Sequence, residues 1–274
     1  MRTARTIEYV AHIRQTSILA EGMYRIEFEV DHPLVCVPGQ FVNLEIPGYL
    51  LRRPLAIADC SDDGMRIVVI VRVVGAGTAD LVLLKPGARL RLLAPLGDGF
   101  NTAVAGVNPL LLGGGSGIPP LFFLAKFLCS SPTHPDVHVA LGFRSAQQAY
   151  LIEQFEELGC AVHVATEDGS AGRQGRVTDF LQTMPHVTQV FACGPDAMLR
   201  TVQAWARDNS RGAQLSVEAH MACGFGACLG CAIPTVSGNR RVCVDGPVFD
   251  SAELVFASES SEPRLQQTSK ESGC

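Results

Sequence analysis

The stretch Pro109-LLLGGGSGIPPLFFLAKFL-Cys129 sets a short apolar run, a glycine-rich turn and an apolar helical segment in immediate succession. A run of that length bounded by glycine reads as a buried strand, and Pro120 suits the first turn of a helix. The alternation continues downstream. Val137–Phe143, Ala161–Thr166 and Gln189–Cys193 read as strands; Gln147–Leu158, a segment starting at Thr178–Gln182, and Met198–Arg207 read as helices. Strand and helix alternating over short loops predict a parallel sheet covered on both faces.

Upstream the pattern differs. Met23–Val30, Phe41–Ile46, Arg66–Val73 and Ala88–Leu93 alternate or run with β-branched residues, and Pro38–Gly39, Pro47–Gly48, Asp63–Gly64 and Pro86–Gly87 punctuate them. Several short strands at this spacing predict a small antiparallel barrel. Beyond residue 212 cysteines and glycines gather and helical signals thin out, and the last stretch is polar and aperiodic. The expected organisation is a multi-domain β plus α/β chain: a barrel over 1–102, a parallel-sheet unit over 103–212, a cysteine module over 213–257 and a disordered tail over 258–274.

Composition narrows the function. With 47% hydrophobic and 18% charged residues the chain is of globular type. A net charge of −5 excludes the broad basic surface of a nucleic-acid binder. The mean hydropathy of +0.21 raises the question of a membrane span. Met65–Val74 carries Arg66 and Arg72, and Pro109–Cys129 carries glycines, Pro119–Pro120 and Lys126, so neither supplies the ~20 uninterrupted apolar residues a span needs. The N-terminal MRTARTIEYVAHIRQ lacks an apolar core of signal-peptide length, and the expectation is a cytoplasmic chain. Ten cysteines in that setting point to thiols and metal ligation more than to disulfides.

Four of the ten fall in Cys223-GFGA-Cys228-LG-Cys231 and at Cys243. A C-x4-C-x2-C run with a later fourth cysteine is the plant-type [2Fe–2S] spacing. A structural zinc site is the competing reading, but such sites normally combine two C-x2-C pairs, and only Cys228 and Cys231 form one here. His220 precedes the loop and reads as a surface or packing residue rather than a ligand or proton donor, since four cysteine ligands are already present. Gly115-x-Gly117-x-x-Pro120, between strand and helix, admits two readings: a pyrophosphate cradle at a helix N-terminus, or a sharp structural turn. Cys193-Gly194-Pro195 ends a strand of the same unit, where ligands of open parallel sheets bind, and Cys193 is either beside a nicotinamide or simply buried. In the barrel, Arg53 and Arg72 are candidates for a cofactor diphosphate, with Gly77 and Thr78 as further donors, against the reading of ordinary solvated arginines. Arg144 and Ser145 follow the second strand of the parallel unit and leave the choice between NAD(H) and its 2′-phosphorylated form open.

These landmarks, in order, are RRPLAIAD at 52–59, GAGT at 75–78, PLGDGF at 95–100, GGGSGIPPL at 113–121, ACGPDAML at 192–199, MACGFGACLGCAIP at 221–234 and RVCVDGPVF at 241–249. Over about Val10 to Phe256 the chain resembles the electron-transfer subunits of class 1B dihydroorotate dehydrogenase, iron–sulfur flavoproteins of the ferredoxin-reductase-like superfamily. The resemblance implies a six-stranded antiparallel FAD barrel, an NAD-binding α/β domain and a small [2Fe–2S] domain. It implies electron relay in pyrimidine (UMP) synthesis between NAD(H), FAD, the cluster and the FMN of a separate catalytic subunit, in a heterotetramer of two of each. It assigns FAD contacts to Arg53, Pro54, Leu55, Ala56, Ile70, Val71, Arg72, Gly77 and Thr78, and cluster ligation to Cys223, Cys228, Cys231 and Cys243. NAD contacts fall to Gly115, Gly117, Cys193, Gly194 and Pro195. The family usually has Ser or Thr at the position of Ala56, so the flavin loses a hydroxyl partner here. Hydride and electron transfer demand distance, orientation and potential, and no general base is expected. The alternatives are a related FAD/[2Fe–2S] diaphorase subunit with another electron partner, or a zinc-stabilised assembly module.

Overall fold

A computed structural model describes residues 6–184 and 186–256. The expected tail, 258–274, lies outside the described residues.

The first unit is a closed barrel of β1 (Ile7–Ala20), β2 (Met23–Val30), β3 (Phe41–Leu44), β4 (Arg53–Cys60), β5 (Arg66–Arg72) and β6 (Arg89–Leu96), ordered β1-β2-β5-β4-β3-β6 with antiparallel neighbours; helix α1 (Ala76–Leu83) follows β5. Alternation in β2 buries Ile26 and Phe28 inside the barrel, where they meet Val42, Leu44, Ile57, Val69 and Leu92. Each such side chain contributes about 1.5–3 kcal/mol on burial, so this core alone holds the barrel closed. Strand β1 was not expected. Its register shifts at Ile13/Gln15 and Ile18/Ala20, which breaks the alternation by which a strand is read.

The second unit is built from β7 (Pro109–Gly114), α2 (Ile118–Cys129), β8 (His138–Phe143), α3 (Ile152–Glu157), β9 (Ala161–Thr166), β10 (Arg173–Gln174), β11 (Gln189–Cys193), α4 (Asp196–Asp208) and β12 (Gly212–Ser216). The sheet order is β10-β9-β8-β7-β11-β12-β15, parallel throughout except for β15 (Val248–Asp250) on the edge. Chain order runs outward in both directions from β7, so connections leave on opposite sides at the β7–β11 pair and open a crevice at their carboxyl ends. Helix α4 has Met198, Leu199, Val202, Trp205 and Ala206 buried on one face, which packs on one side of the sheet; α2 covers the other.

Two expected helices are shorter. Gln147–Leu158 resolves into a single 3-10 turn at Ala146–Gln148 and α3, because Leu151 takes a left-handed φ of 63° that breaks the helix; Tyr150 beside it is buried and its hydroxyl donates to Gly115 O at 2.7 Å. The helix expected to start at Thr178 is a 3-10 segment, Val177–Gln182.

The two units are not independent. Barrel residues Met23, Ala58, Val68 and Ile70 share one core with Leu121, Leu124 and Leu128 of α2, and Lys126 of α2 bonds Asp59 of β4 at 2.8 Å. The last segment adds the hairpin β13 (Ala232–Thr235) and β14 (Gly238–Arg241) and the short α5 (Val242–Asp245). Among the described residues no helix is long and apolar enough to cross a membrane; the two apolar stretches flagged above are β5 and the β7–turn–α2 unit.

Candidate electron-transfer site

In the barrel, β4 pairs with β5 only from Ile57↔Val69 to Cys60↔Ile67. Beyond that point the two strands part. The diverging ends are Arg53–Ala56 on one side and Ile70–Arg72 on the other, the residues that the family resemblance assigns to FAD. The β4–β5 ladder gives the main-chain groups facing this gap no cross-strand partner, which leaves them to polar groups of another kind. Side chains divide the work. Val71 points into the barrel core and Ile70 into the core shared with α2, so at these two positions only backbone is left for a ligand in the gap. Arg53 lies over the Tyr49 ring, 5.1 Å from its centroid, and donates to Leu51 O. Its guanidinium packs so closely on Gly77 that a Cβ there would lie 2.7 Å from Nη2. The Thr78 hydroxyl is committed elsewhere: it donates to Gly75 O and accepts from Val74 N and Gly75 N, closing the turn before α1 rather than offering a free donor.

Arg72, the last residue of β5, also lines a crevice of about 370 Å³ at the carboxyl ends of β7 and β11. Of the expected NAD residues, Gly115 and Pro195 line it directly. Gly117, Cys193 and Gly194 do not line it but pack on one another next to residues that do: a Cβ on Gly117 would run into the Cys193 carbonyl and lie 2.6 Å from Gly194 N. Pro119 and Pro120 in the first turn of α2 have no N–H and Ile118 N donates to Gly115 O, so a ligand at this helix start would meet the backbone of Gly115 and Ser116, which line the crevice. Cys193 is buried, and burial pushes its thiol up to about 12, above what its Ser216 hydrogen bond offsets. It is a neutral, buried thiol at the end of β11.

Several residues that the sequence did not single out join this site. Tyr150 fixes the Gly115 carbonyl. Glu167, immediately after β9, stands at the crevice with Arg144 and Arg176. The Ser116 hydroxyl donates to Glu218 Oε1 at 3.5 Å from across the crevice rim. A buried tyrosine and a carboxylate one residue past a strand are visible in the sequence only once the strand ends are known.

The cysteine loop rests on the barrel. Asn43 of β3, fully buried, donates its side-chain amide to Cys223 O at 3.0 Å. Gly224 has a φ of +76° and lies against that amide, which a side chain would displace. The four sulfurs stand as two pairs, Cys223 with Cys228 and Cys231 with Cys243, and are not closed into one ligand set. Cys231 and Cys243 are buried with their sulfurs 3.2 Å apart, Cys243 N donates to Cys231 Sγ, and Gly230 N donates to Cys228 Sγ. Burial raises the Cys223 thiol, yet N–H groups of Phe225, Cys228 and Ala227, with the Cys228 thiol, outweigh that and hold it at about 6. Burial and the neighbouring Cys231 push Cys243 up to about 12. A nest of N–H groups favouring thiolate next to a buried thiol that resists ionisation is a donor set calling for a cation. The residues therefore fit an iron–sulfur cluster. Cys228 is exposed, flanked by exposed Phe225 and Leu229, while His220 stays exposed outside the set.

A flavin-type barrel, a nucleotide crevice at a sheet switch point and a four-cysteine loop define an oxidoreductase of the ferredoxin-reductase-like architecture. The NADH-dependent reduced ferredoxin–NADP oxidoreductase of flavin-based electron bifurcation superposes with a TM-score of 0.80 at 27% identity, covering 93% of this chain and 91% of that one. An Amycolatopsis cytochrome P450 reductase superposes with a TM-score of 0.67 at 27% identity, over 75% and 67% of the two chains. Residues 111–204 match the model of the oxidoreductase NAD-binding domain, and residues 218–255 that of the iron–sulfur cluster binding domain of dihydroorotate dehydrogenase B. The electron-transfer subunit of dihydroorotate dehydrogenase B (NAD(+)) from Caldanaerobacter subterraneus is 40% identical over 225 residues, 80% of this chain and 87% of that one; that from Shouchella clausii is 37% identical over 257 residues, 89% and 96%. The chain belongs to the family of electron-transfer subunits of dihydroorotate dehydrogenase B. It is an oxidoreductase subunit of electron transport in pyrimidine synthesis, working with FAD, an iron–sulfur cluster and NAD(H).

Proposed function

We propose that this chain is the nucleotide-facing half of a two-subunit enzyme, carrying electrons between NAD(H) and an FMN-containing dihydroorotate dehydrogenase catalytic subunit, as two copies of each. The observation that carries the reading is the order of three adjacent barrel strands. Asn43 of β3 holds the Cys223 carbonyl and is the register partner of Pro54 on β4; the far side of the β4–β5 gap ends in Arg72, which lines the nucleotide crevice. Cluster, flavin and nicotinamide sites thus follow one another across the barrel, and transfer between them depends on that spacing.

When bound, FAD exchanges a hydride with NAD(H) and single electrons with the cluster. This chain's residues do the rest. The β4 and β5 ends grip the flavin by backbone, and Arg53 and Arg72 meet the charge of its diphosphate. The Gly115–Ile118 turn takes the pyrophosphate of NAD(H), with Tyr150 setting the Gly115 carbonyl. Glu167 meets ribose hydroxyls and repels a 2′-phosphate, which selects NAD(H) over its phosphorylated form although Arg144 stands nearby. Cys223, Cys228, Cys231 and Cys243 hold the [2Fe–2S] cluster, and its exposed edge at Cys228, rimmed by Phe225 and Leu229, is where the catalytic subunit docks. Domain limits of 1–102, 103–212 and 213–257 go with this reading, with β12 and β15 of the last span completing the sheet of the second. The nine described cysteines are free thiols, which supports a reducing, cytoplasmic location.

The test is reconstitution. Purified alone, the protein should be brown-yellow, carry two irons, and give a binuclear EPR signal on anaerobic reduction. Mixed with a dihydroorotate-oxidising flavoprotein it should form a four-chain complex that reduces NAD+ with dihydroorotate, which neither part does alone. A colourless protein with stoichiometric zinc, or a complex without that flux, overturns the reading.

A further inference from the structure

Electron relay uses no cysteine outside the 223–243 loop, yet two of the others touch. Cys129 closes α2 and Cys160 precedes β9, with their sulfurs 3.7 Å apart. Both backbones are tied down at that point. Ser130 N donates to Lys126 O beside Cys129, Cys160 N donates to Phe155 O, and Ala161 N donates to Val137 O. Cys160 is buried and Cys129 is partly exposed. The pair combines a partly exposed cysteine, a buried one beside it, and sulfurs already in contact, which must close from 3.7 Å to the ~2.05 Å of a disulfide.

We propose that Cys129 and Cys160 form a peroxide-reactive dithiol site, separate from the electron-transfer centres, that closes to a reversible disulfide. The hydrogen bond from Cys160 lowers the Cys129 thiol below its ordinary range, which favours Cys129 as the attacking sulfur, while the same bond and burial push Cys160 up. The Cys129 thiolate attacks a peroxide oxygen, the O–O bond breaks, and the leaving oxygen takes a proton to depart as water, or as an alcohol if the oxidant is an organic hydroperoxide. The resulting sulfenic acid is attacked by the Cys160 sulfur. The S–O bond breaks and its oxygen leaves as water with the Cys160 proton. Two thiols lose two electrons, one hydroperoxide gains them, and an added dithiol reverses the step by exchange. The other close pair, Cys36 and Cys60, is built differently: the Cys60 thiol is engaged with the carbonyls of Leu34 and Ser61. The bond would fix the last residue of α2 to the sheet, some 18 Å of helix away from the Gly115–Ile118 turn.

The experiment treats cofactor-loaded protein, anaerobically, with one equivalent of hydrogen peroxide. Catalase stops the reaction, free thiols are alkylated, and peptides are mapped. The expected product is a Cys129–Cys160 cross-linked peptide pair that dissolves in dithiothreitol, with the cluster's visible absorbance unchanged. Cys160→Ser should instead accumulate a dimedone-trapped sulfenic acid on Cys129, and Cys129→Ser should leave Cys160 fully alkylated; Cys160→Ala replaces the serine variant if that loads less flavin. Full alkylation of both cysteines, a sulfenic acid on Cys129 of the unmodified protein that never resolves, or oxidation that begins at the cluster ligands overturns the proposal.

Discussion

At Gly117 there is no room for a side chain. The nearest atoms to a Cβ there belong to the Cys193 carbonyl and to Gly194 N, which are backbone and cannot swing aside. Gly117→Ala must therefore push the glycine turn off the β11 turn, at about 1–3 kcal/mol by analogy with overpacked cores. The expected outcome is a lower melting temperature together with a KM for NADH raised about tenfold or more; an unchanged KM would show that the turn does not touch the dinucleotide. Glu167 makes the opposite kind of contribution, through charge. Once the carboxylate is gone, Arg144 and Arg176 are the charged groups left at that end of the crevice. A lost hydrogen bond to a charged group is worth about 1.5–3 kcal/mol, so Glu167→Gln should raise the NADPH/NADH ratio of kcat/KM by roughly tenfold to a hundredfold. Steady-state kinetics with both nucleotides and a dye acceptor read this directly.

Whole elements carry a second layer of information, and not all of it is written in sequence patterns. Strands β8 and β9 bring His138 and His163 into a stacked pair with ring centroids 5.9 Å apart. Burial first, and His138 second, lower the pKa of His163 below 6.5. The unfolded chain therefore binds that proton more tightly than the folded one. The stability this represents is intact above about 6.5 and is lost as pH falls through the folded value. Melting temperature should drop between pH 7.5 and 5.5 in the parent, and His163→Leu should flatten that slope in thermal melts at the two pH values. Neither the stacking nor the slope follows from periodicity, because it needs the β8–β9 register. The same divide runs through the fold. The β7–turn–α2 stretch and the cysteine spacing were legible because each states its geometry locally: apolar run, glycines, fixed intervals between sulfurs. Strand β1 was not, since its bulges scramble the alternation, and α3 was overestimated because one left-handed residue, Leu151, serves a distant contact of its neighbour Tyr150. Asn43 shows the limit most plainly. An asparagine inside an apolar strand reads as a flaw until Cys223, 180 positions on, arrives to accept its hydrogen bond.

For the molecule as a whole, the barrel packs on the sheet unit on one side and holds the cysteine loop on another, and the proposed relay asks it to keep their spacing. The sheet unit is held by a core that crosses the junction and by the Lys126–Asp59 bond. The cysteine loop is held by Asn43, and by Asp98 N and Val217 N, which donate to the carbonyls of Gly246 and Pro247 just after Cys243. Of these ties Asn43 alone reaches the loop of three cysteines, from β3, the strand paired with the β4 edge of the flavin gap. Truncating it removes a hydrogen bond and leaves the Cys223 carbonyl to find another partner, a loss of about 1–3 kcal/mol that falls on the loop and spares the barrel and crevice. Asn43→Ala should then separate the two halves of the relay. NADH-driven reduction of a two-electron dye, which needs flavin and crevice only, should stay within twofold of the parent. Dihydroorotate-driven NAD+ reduction with the partner subunit should fall by about tenfold, with a broadened or shifted cluster EPR signal. Equal losses in both assays would mean that Asn43 supports the barrel in general, and the strand order β3-β4-β5 would no longer explain how the cluster is kept in step with the flavin.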